Sequence, residues 1–213
     1  MQGNGSFEAV RREALTAARL YLVLDLLPDA ERVLDGALAG GADLVQLRDK
    51  DAGESAVIAA GKRLGELCHE HGALFLVNDR PDLAAACDAD GVHVGQEDMS
   101  VADARSLVGP DRLVGLSTHS REQLDAAEGV DYVSVGPVWA TPTKEGRPPV
   151  GLDLVRYAAE RAAVPFFAIG GIDASNVAQV VAAGARRVAV VRAIRDAADS
   201  EAAARRLRAA LDG

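Results

Sequence analysis

Residues 43–51 read Asp-Leu-Val-Gln-Leu-Arg-Asp-Lys-Asp. Leu44, Val45 and Leu47 put apolar side chains on both alternating faces, as expected of a strand buried on two sides. Such a strand belongs to a parallel sheet covered by helices. It ends in one amide, two cations and two carboxylates rather than in an ordinary turn. Ligands of parallel α/β proteins bind at the carboxyl ends of strands. Period-two alternation points Gln46, Arg48 and Lys50 to one side. An amide and two converging cations suit an anion, phosphate or diphosphate before carboxylate. The competing reading is a solvated strand end with a salt bridge to Asp49 or Asp51. These residues alone leave both readings open.

The same pattern recurs along the chain. Apolar runs at Leu20–Leu24, Leu44–Leu47, Leu74–Val77, Gly91–Val94, Leu113–Leu116, Tyr132–Val135, Phe166–Ile169 and Val188–Val191 read as strands. Helix-period stretches alternate with them: Asp29–Ala39, Glu54–His71, Pro81–Cys87, Val101–Leu107, Arg121–Ala126, Leu152–Arg161, Ala174–Ala183 and Ser200–Leu211. Strand–helix units repeated in this way predict an α/β fold, a (β/α)8 TIM barrel near its lower size limit. Residues 1–18 form a short N-terminal helical extension, amphipathic over 6–18. Glycines 40, 41, 72, 129 and 184 end helices before strands. Asp173 and Ser200 read as N-caps. With no linker or low-complexity tract, residues 1–213 read as a single barrel domain. An open doubly wound sheet would need a topological switch point and usually has fewer strands.

Composition agrees. Of 213 residues, 49% are hydrophobic and only 4% aromatic, which suits helices close-packed on a sheet. The net charge of −9 argues against a broad nucleic-acid surface. A few local cations can still build a small anion site. Cys68 and Cys87 have no metal-ligand spacing and read as core fillers in a reduced compartment. No apolar run is long enough for a membrane span, and the first residues lack signal-peptide character. The expected location is the cytoplasm; oligomeric state stays open.

In a barrel the strand ends converge on one face. Asp25 ends the first strand. The third ends Asn78-Asp79-Arg80-Pro81, with Asp79 either at the mouth or capping the next helix. The fourth is followed by Glu97 and Asp98. Asp79 and Asp98 on adjacent loops could hold one Mg²⁺, with Glu97 as fallback if Asp98 caps a helix. The fifth ends Ser117-Thr118-His119, where Ser117 can donate to a phosphate oxygen. His119 reads as structural or minor, and His93 as a buried, hydrogen-bonded histidine. The sixth leads into residues 137–150, a long connection carrying Thr141, Thr143 and Lys144, as a substrate lid would. Trp139 within it needs a packing partner. The seventh ends Gly170-Gly171, which lets backbone N–H groups approach an anion. Val191 and Arg192 end the eighth, beside the recurrent phosphate site of such barrels. The sum is two anion sites on one face, suited to two small phosphorylated ligands, one a metal-bound diphosphate. That arrangement suggests group transfer with diphosphate leaving.

At this point the chain resembles the thiamine phosphate synthase family from about Leu20 to Ile194. The motifs that carry the resemblance are Gln46–Lys50, Asn78-Asp79-Arg80, Gly91–Asp98, Gly115–Ser117, Gly136-Pro137 with Thr141–Lys144, Gly170-Gly171-Ile172 and Val188–Ile194. The resemblance implies a transferase joining hydroxymethylpyrimidine diphosphate to a thiazole phosphate. Gln46, Arg48, Lys50, Asn78, Ser117 and Lys144 would hold the pyrimidine diphosphate, with Arg48, Lys50, Lys144 and Ser117 serving catalysis. Asp79 and Asp98 would bind Mg²⁺. Thr141, Thr143, Gly170, Gly171, Val191 and Arg192 would hold the thiazole phosphate. Arg192 departs from the pattern, since a small hydroxyl residue is common there. The implied mechanism needs no nucleophile: the aminopyrimidine pushes electrons as the carbon–oxygen bond breaks, and the thiazole nitrogen captures the carbocation. A thiazole phosphate tautomerase with the same barrel, using His119 as base, and a non-catalytic phosphate-binding protein are the competing readings.

Overall fold

The computed structural model describes residues 4–141 and 148–213. Eight strands, β1 (Leu20–Leu24), β2 (Leu44–Leu47), β3 (Leu74–Asn78), β4 (Gly91–Val94), β5 (Leu113–Thr118), β6 (Tyr132–Val135), β7 (Phe166–Ile169) and β8 (Val188–Val190), close into a barrel. Every neighbouring pair is parallel, including β1 with β8. The helices are α1 (Asn4–Ala17), α2 (Ala30–Ala39), α3 (Glu54–Glu70), α4 (Pro81–Ala84), α5 (Val101–Val108), α6 (Arg121–Asp125), α7 (Gly151–Arg161), α8 (Val177–Ala182), α9 (Arg192–Arg195) and α10 (Ser200–Asp212).

Strand alternation divides the core in two. Leu22, Val45, Val77, Val92, Val133 and Val188 face outward into the layer between strands and helices. Tyr21, Leu44, Leu74, Leu76, Leu113, Tyr132, Phe167 and Ala189 face inward. Tyr21, Tyr132 and Phe167 meet edge to face, with ring centroids 5.3–6.0 Å apart. That geometry suits the ring quadrupoles. Gly115 on β5 is registered against Tyr132 on β6. A Cβ at Gly115 would fall 2.1 Å from Tyr132 Cζ, so the ring occupies the space a side chain would need.

The N-terminal helix closes the bottom of this interior. Leu15 and Ala18 join the inward cluster. Arg11 Nε lies 2.8 Å from Asp90 Oδ1, and Arg12 Nε lies 2.8 Å from Asp131 Oδ1. Asp90 and Asp131 directly precede β4 and β6, so both pairs tie α1 to the amino ends of strands. Asp90 also accepts from the Phe75 N–H at 2.9 Å and contacts His69 Nε2 at 3.0 Å. At the seam, Asp43 accepts from the N–H groups of Arg19 and Leu20 and pairs with Arg208 of α10 at 2.7 Å.

Two caps differ from expectation. Asp199, not Ser200, caps α10 by accepting from the Ala202 N–H at 2.9 Å. Asp173 does not cap α8, which starts at Val177; its carboxylate instead accepts from the Ser175 N–H at 2.8 Å. A short acid can close a local turn as readily as it caps a helix, and here the turn wins.

Two predictions follow from this packing. Gly115→Ala should destabilise the barrel by about 1–3 kcal/mol through overpacking against Tyr132, read by urea denaturation. The second concerns pH. Burial alone would raise the Asp90 carboxyl, but hydrogen bonds from His69, Arg11 and the Phe75 N–H hold it below the usual carboxylate range. The bond to Asp90 holds His69 above the ordinary imidazole value despite partial burial. A depressed carboxyl stabilises above its unfolded pKa of about 3.9, a share lost as pH falls through the folded value. A raised imidazole stabilises below about 6.5, a share lost as pH rises through the folded value. Wild type should therefore lose urea resistance as pH rises above about 6.5, through the raised folded value of His69, and His69→Gln should not show that loss. Parallel profiles would remove His69 from this account.

Candidate active site at the carboxyl ends of the strands

Above the aromatic layer the inward side chains become small or polar, and the interior opens. A cavity of about 380 Å³ lies there, within the roughly 300–1,000 Å³ of small-molecule sites. Gln46, Arg48, Asn78, Ser117, Thr141, Gly170, Gly171, Val191 and Arg192 all line it. Thr143 and Lys144 lie outside the described residues.

One corner is built from β2. Gln46 is only 2% exposed, and its Nε2 has no hydrogen-bond partner among the described residues. A buried polar group left unpaired costs about 1–3 kcal/mol, a cost that a ligand acceptor would remove. Arg48 is held by its backbone N–H, which donates to Leu24 O at 2.8 Å. Its side chain has no hydrogen bond or ion pair to any described residue. Lys50 does not share this direction. The strand stops at Leu47, alternation lapses, and exposed Lys50 turns its Nζ to Asp79 Oδ2 at 3.7 Å. Asp49 stitches the loop, accepting from the N–H groups of Leu26, Asp51 and Ala52.

Asp79 and Asp98 meet at the neighbouring rim. Asp79 takes a left-handed backbone conformation, φ 57°, and Asn78 Nδ2 donates to its Oδ2 at 2.6 Å. Burial, then the charge of Asp98 and a hydrogen bond to it, push the Asp79 carboxyl up; Lys50 and Asn78 oppose this. Neither acid caps a helix. Arg80 stands at the N-cap of α4 with no side-chain cap, and Ser100 caps α5 by accepting from the Asp103 N–H at 3.1 Å. Asp98 Oδ2 accepts from the Gly95 N–H at 2.9 Å. Exposed Glu97 is not needed as a substitute for Asp98. Among the described residues no group of three His, Cys, Asp or Glu side chains gathers around a metal-sized space. The donor set on offer is this pair of carboxylates.

The opposite corner is backbone. Gly170 and Gly171 have φ of 102° and 67°, values that other residues rarely adopt. Side chains there would also collide: a Cβ at 170 would sit 2.5 Å from Pro137 Cα, and one at 171 would sit 2.8 Å from Trp139 Cβ. The base of the 137–150 connection therefore rests directly on the glycines. The Val138 N–H donates to Ile169 O at 2.9 Å and the Trp139 N–H to Gly170 O at 3.0 Å. Trp139 packs against the outer core, which answers its need for a partner. Val191 and Arg192 begin α9, a turn the sequence pattern did not suggest. Arg192 makes no side-chain hydrogen bond or ion pair with the described residues. Its neighbour Arg195 is committed to Asp25 at 3.1 Å and to Asp196 at 2.6 Å.

Several cavity residues were not legible beforehand. Tyr21, Ser134 and Ile169 line the cavity alongside His93 and His119. A serine inside the apolar run Tyr132–Val135 was the available signal for Ser134. His93 is buried and hydrogen-bonded to Tyr132 and Ser117, as expected. His119 faces the cavity while its Nδ1 contacts Gly136 O.

Comparison with known proteins agrees with this architecture. Residues 20–194 match the family model described as thiamine monophosphate synthase. A thiamine-phosphate synthase of Gloeobacter violaceus is 56% identical over 190 residues, covering 88% of this chain and 56% of that protein. One of Thermus thermophilus is 53% identical over 203 residues, covering 92% of this chain and 98% of its own. The chain thus spans about half the length of some curated relatives and nearly all of others. A solved thiamine phosphate pyrophosphorylase from Pyrococcus furiosus superposes with a TM-score of 0.85 at 35% identity, covering 94% of this chain and 97% of that one. By the extent of these matches, which run across every strand, the chain belongs to the thiamine monophosphate synthase family.

Proposed function

We propose that this chain joins hydroxymethylpyrimidine diphosphate to a thiazole phosphate, forming thiamine phosphate and releasing diphosphate. The observation that carries the reading is one cavity with two anion corners. One corner has Gln46, whose amide nitrogen meets no partner among the described residues, and Arg48, whose side chain is bound to none of them; the other has the Gly170-Gly171 turn and Arg192. A barrel handling a single phosphate needs only the second.

Gln46, Asn78 and Ser117 hold the pyrimidine; Arg48 and Lys144 hold its diphosphate, with Lys50 reaching it from the rim beside Asp79. Thr141, Thr143, Gly170, Gly171, Val191 and Arg192 hold the thiazole phosphate. The adjacent carboxylates of Asp79 and Asp98 suit Mg²⁺, which takes one or two carboxylates and keeps several waters. A second carboxylate beside partly buried Asp79 raises its pKa, and a cation would relieve that crowding. When bound, Mg²⁺ would spread the charge of the diphosphate. The protein's own groups align the thiazole nitrogen with the pyrimidine carbon and neutralise the leaving oxygen. No activated nucleophile is required, because the aminopyrimidine itself stabilises the cation formed as the carbon–oxygen bond breaks. No helix among the described residues is long and apolar enough to cross a membrane. The proposed setting is the cytoplasm, with the two phosphorylated substrates as partners.

Purified protein given both substrates and Mg²⁺ should release diphosphate and yield thiamine phosphate, read by a coupled assay and by mass. Isomerisation of the thiazole phosphate without diphosphate release would replace this reading with a tautomerase. Asp79→Asn should raise the Mg²⁺ concentration for half-maximal rate by at least about tenfold, ~1.4 kcal/mol. It should also abolish the rise in melting temperature that Mg²⁺ with diphosphate gives wild type. An unchanged Mg²⁺ requirement would remove Asp79 from the metal site.

A further inference from the structure

Arg192 opens the short turn α9 and Asp196 closes it, the Asp196 N–H donating to Arg192 O at 3.1 Å. Both side chains line the cavity. Residues four apart in a helical turn are neighbours, and an arginine and a carboxylate at that spacing ordinarily pair. These two feel one another's charge. A hydrogen bond from Arg195, and more weakly the charges of Arg195 and Arg192, hold the Asp196 carboxyl below the usual carboxylate range. Yet no ion pair joins Arg192 to Asp196 or to any other described residue.

The reason is Arg195. Its Nε donates to Asp196 Oδ1 at 2.6 Å and its Nη2 to Asp196 Oδ2 at 3.2 Å, so both oxygens are taken. Its Nη1 reaches the end of β1, donating to Asp25 Oδ2 at 3.1 Å and to Asp25 Oδ1 at 3.3 Å. One planar guanidinium thus binds two carboxylates through all three of its nitrogens, which a single ammonium could not do. The surroundings make this matter. Asp173 and Asp196 both line the cavity beside the Gly170-Gly171 turn, where a bare carboxylate would repel an anion. Asp173 is engaged by the Ser175 N–H at 2.8 Å and its hydroxyl at 2.5 Å. Asp196 is engaged by Arg195. Without Arg195, Asp196 would face Arg192 as an unpaired carboxylate one turn away.

We infer that Arg195 is a positioning residue: by clamping Asp196 to Asp25 it keeps Arg192 out of an ion pair within its own turn and leaves that guanidinium to a phosphate at the glycine corner. The role belongs to a chain with arginine at position 192. A small hydroxyl residue there would not compete for Asp196, and the clamp would have nothing to release. Under the proposed function the phosphate is that of the thiazole substrate. The identity of the ligand rests on the proposed function; the competition of Arg192 and Arg195 for Asp196 does not.

Calorimetric titration with inorganic phosphate, without substrates, tests the competition. Arg192→Ser should weaken phosphate binding by about tenfold in wild type. In an Arg195→Met background the same substitution should change little, because Arg192 is already taken by Asp196. Adding Asp196→Asn to Arg195→Met should restore the tenfold loss. A loss that is absent in wild type, unchanged by Arg195→Met, or not restored by Asp196→Asn would overturn the inference. Should Arg195→Met fail to fold, Arg195→Lys takes its place. Its ammonium cannot hold Asp25 and both oxygens of Asp196, so the loss on Arg192→Ser should shrink and Asp196→Asn should restore it; an unchanged loss would overturn the inference equally. Steady-state kinetics carry the test to the enzyme. Arg195→Met should raise KM for the thiazole phosphate by about tenfold, leave KM for hydroxymethylpyrimidine diphosphate unchanged, and be rescued by Asp196→Asn. Equal rises in both KM values would mark Arg195 as merely structural. An inactive wild type would count against the proposed function alone, since the phosphate titrations still decide the competition.

Discussion

A closed eight-stranded barrel has an interior just wide enough for the side chains that point into it. In this chain the lower part is filled by Tyr21, Tyr132, Phe167 and the leucines of β2, β3 and β5. Leu15 and Ala18 of α1 close it from below. Filling is tight enough that β5 carries glycine where the Tyr132 ring lies. Higher up, the inward positions pass to Gln46, Asn78, His93, Ser117 and Ser134. These side chains are smaller than the space between the strands, and the cavity is what they leave unfilled. The site is thus the continuation of the core, at the level where large apolar residues stop.

Polar groups placed inside a barrel must be paired or must await a ligand. The hydroxyls and imidazole of the floor hydrogen-bond to one another, which stiffens them. Gln46 stays unsatisfied at its amide nitrogen among the described residues. The same sorting holds among the cations. Although the chain carries a net charge of −9, Arg11, Arg12, Arg80, Arg105, Arg195 and Arg208 are each bound to a carboxylate. Arg48 and Arg192, at the cavity, are bound to none among the described residues. Carboxylates elsewhere thus hold several of the arginines, while Arg48 and Arg192 put local positive charge at the cavity of a chain whose overall sign is negative.

Much of this was readable in the order of residues. The strand bounds at Leu20–Leu24, Leu44–Leu47 and Tyr132–Val135 coincide with the apolar runs, because a strand buried on both faces admits little else. Alternation gave Gln46 and Arg48 a shared direction, and the barrel reading aimed it at the mouth, where both line the cavity. Lys50 was not, because alternation ends with the strand and a loop residue goes where its charge is satisfied, here Asp79. Asp173 and Ser200 were misread as caps because competing turn and cap geometries share the same residue types. The turn α9 carries no periodicity in four residues, so Arg192 was placed only by its strand. Tyr21 and Tyr132 read as strand core, and nothing local says that their hydroxyls meet across the barrel.

The amino-acid sequence by itself determined the alternation of strand and helix, the period-two alternation of side chains along each strand, and the glycines that suit a left-handed turn. Those are properties of neighbours a few residues apart, governed by local sterics and periodicity. Tertiary structure alone decided which of them touch. Tyr21 meets Tyr132 across 111 positions, and His93 meets Ser117 across 24. Asp79 comes beside Asp98, and Arg195 is drawn to Asp25 instead of the cavity. Such contacts depend on closure of the barrel, which brings strand ends together irrespective of their separation along the chain.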